Sequence, residues 1–251
     1  MRSKEEKEKI LECWKNKVSQ NKASQLLNIP RSTIKDYYKR LNSGIIINDE
    51  QKIVLKDLGE NLTEADLFRA HQYCYVLGFY LGDGHISKIK RTYRIRIFQD
   101  KKFKNLIEEQ SKALQDIFPE NKVSLVKHAE NCVVIQTYSN YIIELFPQHG
   151  PGKKHEREIV LQEWQRKLIE QNPKPFIKGL IISDGCRFKQ TNCNSFYYQF
   201  TNMSLDIKNL FVWACGLIGI NLNKQNTNSK NIMVRNQDYV KILDEFIGEK
   251  S

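Results

Sequence analysis

Two stretches of the chain decide its fold: Val76-Leu77-Gly78-Phe79-Tyr80-Leu81-Gly82-Asp83-Gly84 and Ile177-Lys178-Gly179-Leu180-Ile181-Ile182-Ser183-Asp184-Gly185. Each reads as an apolar helix that runs out in Asp-Gly. Gly78 and Gly82 in the first, and Gly179 and Ser183 in the second, are small residues four apart. Positions i and i+4 share a helix face, and small side chains there let two backbones approach closely, so the stretches are expected to pack on each other. Gly84 and Gly185 stand where a helix commonly ends on a left-handed residue. Asp83 and Asp184 are the anomaly. A carboxylate at a helix C-terminus faces the negative pole of the dipole, at a cost of roughly 0.3–1 kcal/mol, and packing the helices side by side also brings the two acids together. Carboxylates paired at such a cost suit a hard cation such as Mg²⁺. A lone Asp-Gly would make only a turn, but two in matching places point to a shared metal site.

Working outward, the chain repeats itself from about residue 65. After the first stretch, HISKIK and TYRIRIF read as a hairpin, KKFKNLIEEQSKALQDIF as an amphipathic helix, VSLVKH and CVVIQTY as a hairpin across Ala129-Glu130-Asn131, and NYIIELF as a short closing helix. After the second, CRFKQ and SFYYQFT form a hairpin across residues 191–194 and SLDIKNLFVWACGLIG a helix. GINLNKQN and KNIMVRN then form another hairpin, and DYVKILDEFIG closes the half. FKNLI at 103–107 and IKNLF at 207–211 fall at the same place in each half. Both halves read helix, hairpin, helix, hairpin, helix, an α+β arrangement with an internal pseudo-twofold axis and any axial site built from both copies.

The two nine-residue stretches, with the repeat spanning roughly residues 65–247, resemble those of a single-chain LAGLIDADG homing endonuclease. The letters are loose at Phe79, Tyr80, Leu81 and Lys178; the small-residue spacing, the final Asp-Gly and the two-copy arrangement carry the likeness. The resemblance implies tandem αββαββα units, 65–150 and 151–251, whose sheets form a saddle over DNA. It also implies a monomer that hydrolyses both strands of a specific site with Mg²⁺ and leaves a short 3′ overhang. Its metal-binding acids fall on Asp83 and Asp184. Its polar residue at the end of the second strand falls on Gln99 in IFQDK and Asn202 in FTNMS. Its lysine before the second motif falls on Lys153 or Lys154 in GPGKKHER, with Lys154 favoured as catalytic and Lys153 as a DNA contact. His155 is the one histidine expected near phosphate.

Strand parity supports a DNA-facing sheet. Arg94 and Arg96 share one face of TYRIRIF, opposite Tyr93, Ile95 and Ile97. Arg187, Lys189 and Gln199 are taken as their counterparts in the second half. Around Lys224, also a candidate DNA contact, polar residues fall on both faces and parity decides nothing. Arginine matches guanine edges and phosphate, and Gln or Asn matches adenine.

Ahead of the repeat, residues 1–42 read as a helix-turn-helix, and 43–64 as a linker. Ile10, Leu11 and Trp14 mark a first helix, Ala23, Leu26 and Leu27 a second behind a possible Ser19 cap, and Ile34, Tyr37, Tyr38 and Leu41 a third after Pro30. The start of the last helix would meet base edges through Arg31, Ser32, Thr33, Lys35 and Asp36, with Lys39 and Arg40 suited to phosphate. This segment carries 11 Lys or Arg against 5 Asp or Glu.

The whole chain has 251 residues, 40 Lys or Arg against 29 Asp or Glu, a net charge of +11 and a pI near 9.3, which points to a polyanionic partner. No apolar run is long enough for a membrane span, and MRSKEEKEKI lacks the apolar core of a signal peptide. The expected setting is therefore intracellular, in cytoplasm, nucleoid or an organelle matrix. Six scattered cysteines with no C-x-x-C pair argue against zinc or a disulfide framework. Three readings share this basic surface: a homing-type DNA endonuclease associated with intron homing, a DNA-binding regulator of LAGLIDADG descent that does not cut, and a maturase acting on intron RNA. The presence of both acids favours the nuclease.

Overall fold

The computed structural model describes residues 4–42, 64–189, 195–222 and 229–248, and the chain divides into two compact units, Met1–Asp66 and Leu67–Ser251. Within the smaller unit three helices are described, α1 (Lys4–Lys15), α2 (Gln20–Leu27) and α3 (Arg31–Asn42). Ser19 caps α2 by accepting the Lys22 amide, and Asn28 ends it in the left-handed region at φ 54°, donating its N–H to Ser24 and Gln25. Pro30 cannot continue a helix but accepts from Thr33 and Ile34 with its carbonyl, and so starts α3. Ile10, Ala23, Ile29, Ile34 and Tyr38 form the core, with Trp14 and Leu27 packed against it. Ala23 of α2 is buried in one cluster with Ile10 of α1 and Ile34 and Tyr38 of α3. The expected linker, residues 43–63, lies outside the described residues; Glu64 already belongs to the next helix.

Helix α4 (Glu64–Gly82), which belongs to the larger unit from Leu67 onward, feeds β1 (Gly84–Ile89) and β2 (Thr92–Asp100), then α5 (Lys104–Ile117), β3 (Ser124–Ala129), β4 (Cys132–Ser139) and the short α6 (Ile142–Leu145). The second half follows as α7 (Glu163–Gln171), α8 (Pro173–Asp184), β5 (Gly185–Lys189), β6 (Phe196–Thr201), α9 (Leu205–Leu217), β7 (Asn231–Val234) and α10 (Gln237–Ile247). All strands pair antiparallel, in the orders β1-β2-β4-β3 and β5-β6-β7. Among the described residues the second sheet repeats three strands of the first, β5, β6 and β7 standing where β1, β2 and β4 do. Ile220–Leu222 are not in a strand, and the rest of the expected GINLNKQN strand, Lys224 included, lies outside the described residues. The mixed α and β architecture is the duplicated one expected.

One face of the first sheet is covered by helices, which explains the alternation along β2: Ile95, Ile97 and Gln99 are buried while Arg94, Arg96 and Phe98 stay half-exposed on the other face. The centre of the unit is the pair α4 and α8, where Tyr73–Leu81 and Pro175–Ile182 are buried except for Lys178. That lysine sits in an apolar helix because Glu109 of α5 reaches it as an ion pair.

One element is new and one expectation is corrected. Helix α7 was not anticipated. Gly84 and Gly185 are not left-handed: Gly185 is extended at φ −116°, and the glycines with positive φ among the described residues are Gly152, Gly219 and Gly248. Close packing is the reason for both. A Cβ at Gly84 would stand 2.5 Å from Tyr80 Cα, and one at Gly185 2.8 Å from the Ile181 carbonyl oxygen.

Candidate active site and nucleic-acid interface

The small residues bring the two motif helices into backbone contact. A Cβ at Gly78 would run into the Phe176 carbonyl oxygen, and one at Gly179 into the Tyr75 carbonyl oxygen with Phe79 N at 2.7 Å. Nearer the C-terminal ends, a Cβ at Gly82 would collide with the Ser183 side chain and stand 3.0 Å from Asp184 Oδ2. The Asp184 carboxylate therefore lies across the end of the opposite helix. Ser183 fits this crowded place because its hydroxyl donates back into its own helix, to the carbonyls of Gly179 and Leu180.

Lys154 is anchored at the same point. Its ammonium donates to the carbonyls of Gly82 at 2.6 Å and Gly84 at 2.7 Å, and lies 5.0 Å from the Tyr80 ring centroid. It thus satisfies carbonyls at the negative end of α4. Burial pushes its pKa down to about 8 against the opposing pull of Asp184 and Asp83, with Arg157 lowering it further. A single ammonium accordingly feels both motif carboxylates. Of the two lysines in GPGKKHER it is the one set into the site; Lys153 is exposed and faces Glu156 at 3.6 Å.

The loop that delivers Lys154 is folded around Arg157, whose guanidinium donates to the carbonyls of Gln148, Gly150, Pro151 and Gly152. Behind it a buried chain runs from the Val160 carbonyl through Gln148 and Gln165 to Tyr73 of α4, and Ile159 N donates to Asp206 at the start of α9. The sequence reading missed Arg157, Gln148 and Gln165. The Gly-Pro-Gly run was the available signal for a loop that needs an internal donor.

Asn202 donates through Nδ2 to Asp184 Oδ2 while its Oδ1 accepts the Ser204 amide at 2.7 Å. The second bond fixes which end of the amide faces the acid. The register makes Gln99 its counterpart. Gly84 pairs with Ile97 and Gly185 with Phe200, so Gln99 and Asn202 each stand two residues past an equivalent pair. Gln99 is 7% exposed and borders a cleft of about 520 Å³ with Asp83. Asp184 and Asn202 border a second cleft of about 550 Å³, together with Lys154, Arg157 and His85. His85 was not selected from sequence. Burial lowers its pKa, as do Arg96, Lys154, Arg94 and Arg157 around it.

The two carboxylates at the axis offer oxygen to a hard cation, while Asn202 turns its NH₂ toward Asp184 and keeps its oxygen on Ser204. Among the described residues no group of three or more His, Cys, Asp or Glu could hold a metal by itself. Two carboxylates completed by phosphate and water match the manner in which Mg²⁺ binds.

The open sheet faces correct part of the DNA-contact assignment. In the first sheet Arg94 pairs with Ser87 and Tyr138, and Arg96 with His85 and Gln136, so these six share the uncovered face. Nε of both arginines is buried without a hydrogen-bond partner among the described residues. In the second sheet Gln199 pairs with Cys186 and Met233 on the corresponding face. Arg187 and Lys189 do not join it. They pair with Tyr198 and Phe196 on the helix side, where Arg187 forms a two-pronged ion pair with Asp244 of α10 at 2.8 Å and lies over the Phe196 ring. In the smaller unit Ile34 and Tyr38 turn inward, leaving Arg31, Ser32, Lys35, Asp36 and Lys39 exposed and Thr33 half-buried; the Arg40 side chain lies outside the described set.

Comparison with known proteins adds the following. A family model of the helix-turn-helix, Psq domain matches residues 10–44. No curated protein matches the chain. Among solved structures it is similar to I-DmoI in complex with DNA and Ca, at 17% identity and a TM-score of 0.49, over 72% of this chain and 91% of that one. It is also similar to the N-terminal LAGLIDADG domain of DUF199/WhiA, at 13% identity and 0.45, over 78% and 86%. A third similar structure is the I-SmaMI LAGLIDADG homing endonuclease bound to cleaved DNA, at 12% identity and 0.43, over 70% and 83%.

Proposed function

We propose that this protein is a site-specific, Mg²⁺-dependent endonuclease of the LAGLIDADG homing type that cuts both strands of duplex DNA. The observation that carries the reading is the convergence at the crossing of α4 and α8: two motif carboxylates, two register-equivalent amides and one lysine that feels both acids. A divalent cation held by Asp83 and Asp184 would polarise the scissile phosphoryl oxygen and acidify the attacking water. Asn202, its own orientation set by Ser204, holds the Asp184 carboxylate in place, and Gln99 serves Asp83. Lys154, protonated, offsets the charge that grows on the phosphate in the transition state. Arg94, Arg96, Gln136 and Gln199 on the open sheet faces supply donors and acceptors for base edges, and Lys153 a phosphate contact. The outer row of α3, Arg31, Lys35 and Lys39 at successive fourth positions, supplies a second contact with duplex DNA.

The test is incubation of the full chain and Mg²⁺ with a randomised duplex library, followed by sequencing of the ends. Enrichment of one site with a fixed, short 3′ overhang is the expected result. The helix-turn-helix segment by itself favours a second reading, a regulator that binds without cutting. In that case the enriched duplex would be bound and intact.

A further inference from the structure

The open faces of the two sheets are built on equivalent positions and carry different chemistry. The register that equates Ile97 with Phe200 equates Arg96 with Gln199 and Arg94 with Tyr197. On the neighbouring strand it sets His85 against Cys186 and Ser87 against Phe188. Both arginines of the first face are half-exposed, with Nε buried and without a hydrogen-bond partner among the described residues. Burial and the like charge of Arg94 lower the Arg96 pKa, so an electron-rich partner relieves the pair. Among the described strand residues the second face carries no charged side chain, because Arg187 and Lys189 point to the helix side. There the Phe188 and Tyr197 rings stack at 5.5 Å, Gln199 donates to Thr201, and Thr201 donates to Asn231. Phe188 stays 39% exposed.

An arginine with no protein acceptor matches the O6 and N7 edge of guanine, a glutamine matches adenine, and an apolar ring meets the thymine methyl. Residues two apart on one strand face stand about 6.8 Å from each other. That distance is two base-pair steps of about 3.4 Å. We propose that the two sheets read unlike half-sites, the first holding two guanines two base-pair steps apart with Arg94 and Arg96, the second holding A·T pairs with Gln199 on adenine and Phe188 on a thymine methyl. This rests on the duplex-binding part of the reading above and not on cleavage. The pseudo-twofold chain then has one orientation on its target, set by which half carries the guanines.

The experiment incubates the full chain with a randomised duplex library in the absence of Mg²⁺, recovers the bound duplexes and sequences them. The wild-type site should hold, in one half, two guanines with one base pair between them, and A·T pairs at the equivalent places of the other half. Changing either guanine to adenine should weaken binding about tenfold or more. Arg96→Gln should move the preference at one of the guanines to adenine. Gln199→Arg should bring a guanine into the other half, a gain that loss of fold cannot produce. The two changes together should exchange the bases. Unchanged melting temperatures establish that each variant folds. A selected site without the guanine pair, or preferences that neither substitution moves, would overturn the base assignment and leave duplex binding intact. Enrichment of the pair in duplex that stays uncut once Mg²⁺ is added would uphold the assignment and overturn the nuclease reading. A library with no enriched sequence would overturn both.

Discussion

Lys154 is the residue on which the site's chemistry and its pH behaviour meet. Its pKa in the folded chain is about 8, below the roughly 10.4 of a free lysine. Between those values the unfolded chain holds more protons than the folded one, so stability rises with pH across that window, and the full penalty is present below it. The melting temperature of the wild type minus that of Lys154→Met should therefore grow from about pH 7 to about pH 10; a flat difference would mean that the ammonium is not desolvated. Because the proposed role needs the charged form, cleavage should also fall as pH rises through about 8. A rate that climbs through the same pH would instead make Lys154 a base. Asp83 and Asp184 were legible in the sequence because the Asp-Gly ends repeat in matching places, and Gln99, Asn202 and Lys154 through the positions that the family resemblance implies. His85 and Arg157 were not. Their roles depend on a loop crossing to the other half, which no local pattern encodes.

At the level of elements, the crossing of α4 and α8 makes predictions of both signs. Gly78→Ala or Gly179→Ala puts a methyl into the backbone of the opposite helix, and overpacking of this kind costs about 1–3 kcal/mol. Either change should lower the melting temperature and the cleavage rate together, since the carboxylates move with the helices. Gly216→Ala in α9 meets nothing within 4 Å and should stabilise the chain by about 0.5–1 kcal/mol through helix entropy. If all three variants melt alike, the helices do not touch at the glycines. The small-residue spacing announced this packing from sequence alone. The face of β5 was not readable in the same way. Arg187 and Lys189 have the period of a solvated strand face, and the residue that claims Arg187, Asp244, lies 57 positions further on. Helix α7 did leave a signal, with Trp164, Leu168 and Ile169 buried at helical spacing, but the basic run before it dominated the reading of that segment.

For the whole molecule, the proposed function divides between the two compact units, with the basic helix-turn-helix residues in the smaller and both motif helices in the larger. Residues 1–42 carry +6 of the net +11, so removing them should weaken binding to the selected duplex and flatten its dependence on salt, because fewer phosphates are neutralised. The remaining unit keeps both motif helices and should still cut. Unchanged affinity and salt slope in the truncated chain would remove the helix-turn-helix from the DNA contact. The central claim is that the two carboxylates at the helix crossing form one catalytic centre, and it is met most directly by comparing the full wild-type chain with Asp83→Asn, Asp184→Asn and the double variant on the selected duplex. Binding and Mg²⁺-dependent cleavage are to be measured on the same preparations. The account predicts that all three variants bind within about tenfold of the wild type, because the substitution removes charge without changing shape, while the double variant cuts neither strand. Robust cleavage by the double variant would contradict it.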